Sequence, residues 1–260
     1  MRLVDRWGEI AQVLLRRKLR TALTALAVAW GIFMLVVLLA AGNGLSRGTE
    51  SQFANDAANA VWVHPGVTSK PHQGMPKGRR VRLALPDVEL VRSSSRIVDH
   101  ATGRLYPAQS VTVAHGTRQG VFPIRAVHPD NLPIENAQLT EGRYLDPLDE
   151  AERRKVAVLG KKVVESLFPR GASPLGAWLR IGRGVWQVVG VFEEEKEERE
   201  QQMIYVPMST AQLAWSAAGR VEEIAFTVGA ADRATADELV ADVRAQLARV
   251  HGFAVDDKPA

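Results

Sequence analysis

The longest uninterrupted apolar stretch of the chain lies near its start, at residues 22–41, which read ALTALAVAWGIFMLVVLLAA. Thr24 is its one clearly polar member. At a rise of about 1.5 Å per residue, a helix of this length spans about 30 Å, the thickness of the hydrocarbon core of a bilayer. A helix also satisfies its own backbone hydrogen bonds, which lipid cannot do. The pattern predicts one transmembrane helix over residues 21–41.

The charges beside this helix predict its orientation. Four basic residues lie within positions 16–20, whereas the fifteen residues after the helix hold one basic and two acidic side chains. Because Lys and Arg favour the cytoplasmic side, the N-terminus is predicted to be cytoplasmic and residues 42–260 to lie outside the cytoplasmic membrane. Residues 1–20 combine these basic groups with apolar positions at helical spacing, which predicts an amphipathic helix at the inner membrane interface. The apolar positions are Leu3, Trp7, Ile10 and Leu14.

Beyond residue 42 the apolar positions form short runs that predict a folded domain. Alternating or continuous apolar runs predict strands at 59–64, 111–113, 120–127, 156–159, 178–181, 185–192, 203–206 and 224–228. Helical spacing and start signals predict helices at 86–94, 161–168, 209–215 and 235–251. The polar, Pro- and Gly-rich residues 67–80 predict a loop. Strands and helices interleave along the chain, so the predicted fold class is α+β.

Two short motifs predict helix starts. Ser209–Gln212 and Thr235–Glu238 each match a capping box, in which a hydroxyl and an acid or amide three residues later bond each other's backbone. The second of these helices is predicted to end at Gly252. Its buried stripe is predicted to consist of Leu239, Val243, Leu247 and Val250.

Glycines mark two further boundaries. Gly160 predicts a turn before the helix at 161–168, and the Gly182-Arg183-Gly184 sequence predicts a hairpin between two strands. The helix at 161–168 is predicted to bury Val164, Leu167 and Phe168. The acidic tract Glu193–Glu200 predicts a solvated loop or hairpin tip.

Composition and charge exclude one class of function. The chain is 46% hydrophobic and 24% charged, as in folded proteins, and its formal net charge is +4. Residues 1–20 hold six basic and two acidic groups, so they carry the whole excess, and the remainder is neutral. A nucleic-acid-binding domain would show a basic footprint on its folded part, so no nucleic-acid partner is predicted. The chain has no cysteine, which leaves no thiolate nucleophile and no Cys-based zinc site.

Candidate chemistry is sparse. Gly160-Lys161-Lys162 lacks the spacing and the Ser or Thr of a phosphate-binding P-loop, and Gly171–Gly176 lacks the strand that precedes a nucleophile elbow. The acidic pairs Asp146/Asp149 and Glu222/Glu223 are predicted to lie in solvated loops and strand edges. The six histidines show no metal-binding spacing: His64, His72, His100, His115, His128 and His251. No catalytic, cofactor-binding or metal-binding residue is therefore predicted, and no cofactor.

The order of several short motifs carries more information than any one of them. They are the RRKLRTALTALAVAWGIFM, VWVHPG and LPDVELVRS segments, the long stretch LTEGRYLDPLDEAERRKVAVLGKKVVESLFPRGASPLGAWLRIGRGVWQVVGVFEEE, and MIYVPMSTAQL. In this order they resemble the MacB/FtsX-like ABC-transporter permease family. The resemblance covers essentially the whole chain.

The resemblance implies a permease subunit whose first membrane helix is followed by a two-lobed periplasmic domain. A discontinuous lobe is expected at about 45–125 and 219–260, and an inserted lobe at about 126–218. Such permeases work with a cytoplasmic ABC ATPase, which hydrolyses the nucleotide, and with a second permease copy. They transmit ATPase movement to the periplasm for efflux or for lipoprotein and envelope transport, and a periplasmic adaptor or lipoprotein is a further expected partner.

The family pattern continues with three more membrane helices, which this sequence does not contain. The expectation is a truncated permease or one half of a split gene. The alternative is a free-standing, membrane-anchored periplasmic binding or scaffold protein without transport activity. An anchored enzyme is a third alternative, which no motif favours.

Overall fold

The computed structural model describes residues 19, 22–23, 25–38, 60–107, 110–193, 199–229 and 231–257. The chain forms two compact units, Met1–Ala54 and Asn55–Ala260. In the first unit every described residue is helical and exposed. Over the described part of the chain, no helix combines the length and apolar character needed to cross a membrane. The amphipathic segment and both ends of the predicted span lie outside the described residues, apart from Leu19, so these remain predictions.

The second unit is built on one long mixed sheet. In chain order the strands are β1 (Ala60–Val63), β2 (Leu83–Ala84), β3 (His100–Leu105), β4 (Val111–His115), β5 (Arg118–Phe122), β6 (Ile124–Val127), β7 (Gln138–Gly142), β8 (Val156–Gly160), β9 (Trp178–Ile181), β10 (Gly184–Glu193), β11 (Ile204–Pro207), β12 (Arg220–Val221) and β13 (Glu223–Thr227).

Eleven of these strands form the long sheet within the described residues. Their order is β1-β13-β3-β6-β11-β8-β10-β9-β4-β5, and β7 pairs with β10. The pairs β6–β11 and β8–β10 are parallel and the others are antiparallel. A short second ladder joins β2 and β12.

Helices connect these strands, and their starts follow local chemistry. They are α1 (Leu85–Ser94), α2 (Asn131–Glu135), α3 (Pro147–Ala151), α4 (Lys161–Leu167), α5 (Met208–Ala214) and α6 (Arg233–His251), with a 3-10 helix at Glu200–Gln202. Pro86 lies in the first turn of α1, where a missing N–H costs nothing, and the Asp87 carboxylate accepts a hydrogen bond from the Ala84 amide at 2.7 Å. The mixed α+β class is confirmed.

Several predicted elements are confirmed within a few residues, and one divides in two. The helices at 86–94 and 161–168 and the hairpin at 178–192 are present as α1, α4 and β9–β10. The predicted strand at 120–127 is interrupted by Pro123, which has no N–H for a ladder. Its two halves pair differently, because β5 pairs with β4 while β6 joins β3 and β11.

Both predicted capping boxes are wrong. Helix α6 begins two residues early because the Asp232 side chain accepts a hydrogen bond from the Thr235 amide at 2.9 Å. Helix α5 begins at Met208, so the predicted cap Ser209 lies inside it, and Glu150 supplies the carboxylate at its start.

The predicted burial patterns are confirmed in part. Leu239, Val243 and Leu247 are buried, but Val250 is 61% exposed. The helix ends at Gly252, which has a left-handed backbone conformation, and Phe253 after it fills the core at that end instead of Val250. In α4, Leu167 and Phe168 are buried as predicted. Val164 is only partly buried, and Val163 is the fully buried neighbour.

Two large apolar clusters lie along the sheet. One packs α1 and α6 against β3 and β13. The other joins residues 105–126 to residues 157–217, and its centre includes Trp186, which stacks on Trp215 with ring centroids 5.6 Å apart. A third, smaller cluster surrounds Tyr144, Phe192 and Tyr205. The division into two lobes at residue 126 stays a prediction.

Candidate functional site: a buried ion network, a polar clamp and an apolar groove

A network of buried charges lies where β3, β6, β13 and the 3-10 helix meet. Arg104 and Arg125 both donate to the same Glu135 carboxylate oxygen, the second at 3.0 Å. Arg104 also donates to Glu223 at 3.4 Å, and Arg125 donates to both oxygens of Glu200 at 3.0 and 2.9 Å. Two guanidinium groups therefore hold three carboxylates. Because charge-assisted and bidentate bonds of this kind are directional, the network fixes the relative positions of five separate chain segments.

Tyrosine and amide groups complete this network. The Tyr205 hydroxyl donates to Glu200 at 3.1 Å. Asn131 accepts a hydrogen bond from Arg104 at 3.2 Å and donates one to the Tyr144 hydroxyl, also at 3.2 Å. Burial raises the pKa of Tyr205 well above its ordinary value, although the positive charge of Arg125 opposes that rise. The hydroxyls are thus held protonated, as hydrogen-bonding groups.

Two acidic positions in this network differ from the sequence prediction. Glu200, predicted in a solvated tract, is bound to buried Arg125, and Glu223, predicted at a solvated strand edge, is 9% exposed. At the other end of the tract, Glu193 accepts a hydrogen bond from Lys161 at 2.6 Å. The residues between, 194–198, lie outside the described part of the chain. Burial of the two carboxylates follows from the arginines that face them, which are far away in sequence.

A polar clamp joins α3 to α5. The Glu150 carboxylate accepts hydrogen bonds from the Met208 and Ser209 amides at 2.6 and 2.9 Å, and the Ser209 hydroxyl donates to the Glu150 carbonyl at 2.7 Å. These amides belong to the first turn of α5, where no intrahelical partner exists. One side chain from another helix therefore supplies the cap that the sequence pattern had assigned to Ser209.

Beside this clamp, Asp149 is fully buried and not solvated as predicted. It accepts hydrogen bonds from Arg143 at 2.6 and 3.0 Å and from the Asp146 amide at 3.0 Å. Burial alone would raise the pKa of Asp149, but these bonds and the charges of Arg143 and Arg154 lower it below its ordinary value. Asp146 in turn caps α3 through the Asp149 amide at 2.9 Å. Both acids therefore hold the β7–α3 connection in place.

Two glycines allow backbones to approach closely. A β-carbon on Gly160 would lie 2.2 Å from the Gln201 carbonyl oxygen, and one on Gly190 would lie 2.1 Å from the Arg143 carbonyl oxygen. Neither distance is possible between real atoms, so only glycine fits. The predicted turn at Gly160 is wrong, because this residue ends β8 and leads directly into α4.

An apolar groove of about 300 Å³ runs between β1 and α6. Its walls include Val61, Val63, Phe226, Val243 and Leu247. At its rim Arg244 donates to the Val255 carbonyl at 2.8 Å.

The end of α6 beside this groove is firmly held. Arg79 donates to the carbonyls of His251 and Gly252 at 2.7 and 2.8 Å, and His251 Nε2 lies 3.0 Å from an Asp87 oxygen. A cation is favourable at a helix C-terminus, where the last carbonyls lack intrahelical partners. Arg79 therefore caps α6 and ties it to the loop before β2.

The histidines do not come together. Over the described residues, no group of three or more His, Asp or Glu side chains is arranged to hold a metal ion. His128 accepts a hydrogen bond from the Gly103 amide at 3.0 Å, and His115 stacks on Phe168 with ring centroids 4.3 Å apart. These contacts give both rings a packing role.

Comparison with known proteins decides the family. The family described as the MacB-like periplasmic core domain matches residues 21–246. The chain belongs to the MacB/FtsX-like ABC permease family. It carries the MacB-like periplasmic core domain of such a permease, which confirms the resemblance that the order of motifs indicated.

The chain is similar to several named exporters of this family. It is 31% identical over 198 residues to the pyoverdine export ATP-binding/permease protein PvdT of Pseudomonas putida, covering 75% of the chain and 29% of that protein. It is 27% identical over 240 residues to the macrolide export ATP-binding/permease protein MacB of Rhodospirillum rubrum, covering 90% of the chain and 35% of that protein. The chain thus spans about a third of the length of these relatives.

Solved MacB-like structures share the fold. The periplasmic region of MacB from Actinobacillus actinomycetemcomitans superposes with a TM-score of 0.63 at 17% identity, covering 77% of this chain and 88% of that one. The extracellular domain of the noncanonic ABC-type transporter YknZ from Gram-positive bacteria gives a TM-score of 0.62 at 14% identity, covering 75% and 96%.

The MacB-like motifs acquire a physical meaning in this fold. The EGRYLDPLDEAE segment forms the end of β7 and all of α3, supplies Glu150 to the polar clamp, and contains the Arg143–Asp149 pair. The VAVLG segment ends in Gly160, and the VVGVF segment contains Gly190. These are the two glycines at which backbones approach closely. These residues are structural, and the sequence signal that identifies the family lies in positions that build the domain.

Proposed function

We propose that this chain is the membrane-anchored periplasmic portion of a MacB-type ABC transporter permease subunit. In this proposal the domain transmits movement from a cytoplasmic ATPase to the periplasm during export. The observation that carries it is the continuity of the sheet from β1 to β5, crossed by the buried ion network. Protein interiors are close-packed and transmit displacement with little compression.

The ion network supports a rigid transmitter in particular. It lies between the α1–α6 cluster and the cluster around Trp186, and it bonds β3, β6 and β13 to α2 and the 3-10 helix. Breaking any of its pairs would leave buried charges with less compensation. Relative sliding of these segments is therefore costly, and the domain moves as one body.

The proposed setting follows from the family and from the flanking charges. The N-terminus is cytoplasmic, residues 42–260 are periplasmic, and the subunit pairs with a second permease copy in the cytoplasmic membrane. ATP hydrolysis is assigned to an ATPase subunit or domain. Relatives are named for pyoverdine and macrolide export; for this chain we propose export without naming the cargo, since its motif residues build the fold.

Co-purification tests the partnership. The affinity-tagged full chain is expressed in its own host, membranes are treated with a lysine-reactive cross-linker, and the solubilised complex is identified by mass spectrometry. An ABC ATPase and a second permease copy are the expected companions. A chain recovered alone, in membranes where it is stably inserted, would contradict the proposal and favour the alternative of a free-standing binding or scaffold protein.

Spin labelling tests rigid transmission. Because the chain has no cysteine, labels can be placed at Val121→Cys on β5 and Val250→Cys on α6, which are 63% and 61% exposed. The distance within one domain is expected to stay constant when ATP is added to the co-purified complex, while the distance between copies changes. If the label-to-label distance within one domain changes as much as the distance between copies, the rigid-body part of the proposal is refuted.

A further inference from the structure

The outer face of the β10–β9–β4–β5 segment of the sheet has an unusual composition for a solvent-facing surface. Strand alternation turns Leu179, Ile181 and Trp186 into the core. It leaves the neighbouring positions in solvent, where Trp178 is 58% exposed and Val185 is 50% exposed.

The register places these exposed side chains side by side. Val185 lies opposite Arg180, which lies opposite Ala114, which lies opposite Gln119; three of these four are exposed, and the small Ala114 between them is 8% exposed. This row is flanked on one side by the pair Gln187–Trp178 and on the other by Thr112–Val121, where Val121 is 63% exposed. Trp, two Val and Arg thus form one contiguous surface, which we call the outer sheet face: Thr112, Gln119, Val121, Trp178, Arg180, Val185 and Gln187.

The charge around this face is of one sign. Strands β4, β5 and β9 and the turn between β9 and β10 contain three arginines and no acidic residue, and the one acid of β10 is its last residue, Glu193, which bonds Lys161. The arginines are Arg118, Arg180 and Arg183. Over the described residues none of them pairs with a carboxylate. Because Gln119 faces outward, strand alternation places Arg118 on the opposite face, where it donates to the Phe168 carbonyl at 3.0 Å. An approaching partner therefore meets the positive charges of Arg180 and Arg183 beside exposed apolar side chains.

We propose that the outer sheet face is a docking surface for a protein partner that presents carboxylates beside apolar side chains. Trp and Arg are among the residue types that contribute most to protein interfaces, and Trp178 is 58% exposed on this face. Complementary charge directs such encounters and rejects partners of the wrong sign.

Two other occupants fit less well. A second copy docking the same face on a two-fold axis would bring the two sets of arginines together, which like charges oppose. An anionic membrane surface is bound by clusters of about four to eight basic residues, and this face offers two, Arg180 and Arg183. The inference rests on this face alone, so it stands or falls independently of the proposed ATPase partnership.

Site-specific photo-crosslinking in the full chain, in membranes of its own host, tests the proposal. Benzoylphenylalanine is placed at Thr112 and Val185 on the outer sheet face. Matched controls are placed at Leu213 and Val250, which are 61% exposed and lie on α5 and α6. The same protein adduct is expected from both face positions and from neither control. Its yield should fall about tenfold with Arg180→Glu and persist with Arg180→Lys.

The identity of the contact is then checked by charge exchange. The cross-linked peptide of the partner is sequenced, and a Glu or Asp in it is replaced by Lys. This replacement is expected to restore the adduct with the Arg180→Glu chain. An absent adduct at the face positions, an adduct with lipid or with the chain itself, equal adducts at the controls, or insensitivity to Arg180→Glu would each overturn the proposal. Thermal unfolding of each variant confirms that it is folded.

Discussion

Glu200 receives two hydrogen bonds from Arg125, and these two residues lie 75 positions apart in the chain. Arg125 is 8% exposed and Glu200 14% exposed at the side chain, so the pair is largely withdrawn from water. The contact fixes the 3-10 helix against β6. The same short helix places the Gln201 backbone close to Gly160, at the end of β8. One bidentate pair thus determines how the end of the acidic tract rejoins the sheet.

Removing this guanidinium should destabilise the domain strongly. We expect Arg125→Ala to lower the free energy of unfolding by about 3–5 kcal/mol, since it leaves Glu200 without its arginine and removes one of the two arginines bound to Glu135. Urea unfolding of the full chain in detergent, followed by tryptophan fluorescence, measures the change. The control is Arg180→Ala on the exposed sheet face, with an expected change of at most about 0.5 kcal/mol. Similar losses from both variants would contradict the structural role of the network.

The buried carboxylate of Asp149 predicts an acid-sensitive contribution to stability. Hydrogen bonds from Arg143 and the Asp146 amide hold its pKa in the folded chain below the ordinary value of an Asp carboxyl. A lowered folded pKa means that the ionised form stabilises the fold above the unfolded pKa, about 3.9, and that this stability is lost as pH falls through the folded pKa. Asp149→Asn should therefore lower Tm at pH 7, and the difference from the parent chain should shrink below about pH 4. A difference that is constant from pH 7 to pH 3 would exclude this linkage.

Close backbone contact at Gly160 predicts a specific intolerance to a methyl group. Gly160→Ala should cost about 3 kcal/mol, because the added β-carbon meets the Gln201 carbonyl and one backbone has to shift. Gly171 is the matched control, since its φ is +80° and nothing lies within 4 Å of an added β-carbon. Gly171→Ala then reports left-handed strain alone, about 1–2 kcal/mol. If the control variant is the less stable of the two in calorimetry, the close-contact argument fails.

The clamp between α3 and α5 predicts a local effect. Glu150→Ala removes the acceptor of the Met208 and Ser209 amides and should cost about 1–2 kcal/mol, as for the loss of a helix cap. Hydrogen exchange of those two amides should accelerate before that of the sheet. Glu152→Ala, which removes an exposed contact to Arg154, is the control and should change stability by less than about 1 kcal/mol. Unchanged exchange at Met208 and Ser209 in the Glu150 variant would refute the clamp.

The sequence predicted the strands whose side chains alternate or form apolar runs, and the order of motifs predicted the family. Strand β3 was missed because HATGRL shows no apolar period: Arg104 is buried in the ion network, and Gly103 lies under Val88 and Val221. The capping boxes were wrong because an acid outside the motif, Asp232 or Glu150, supplied the acceptor.

The ion network could not be predicted from the chain at all. Its members are spread over positions from 104 to 223, among other charged residues, and only the sheet order brings them together. Local patterns describe neighbours within a helix or strand, whereas this site depends on pairing between strands that are far apart in sequence.

The pairing of β1 with β13 sets Ala60 directly opposite Thr227. The polypeptide therefore passes into the sheet and out of it at adjacent points on one side. Helix α6, which follows β13, packs on the same apolar cluster as Val61 and Val63 of β1. The first strand and the last helix of the domain are therefore held by one shared set of contacts, and loosening either of them weakens the other.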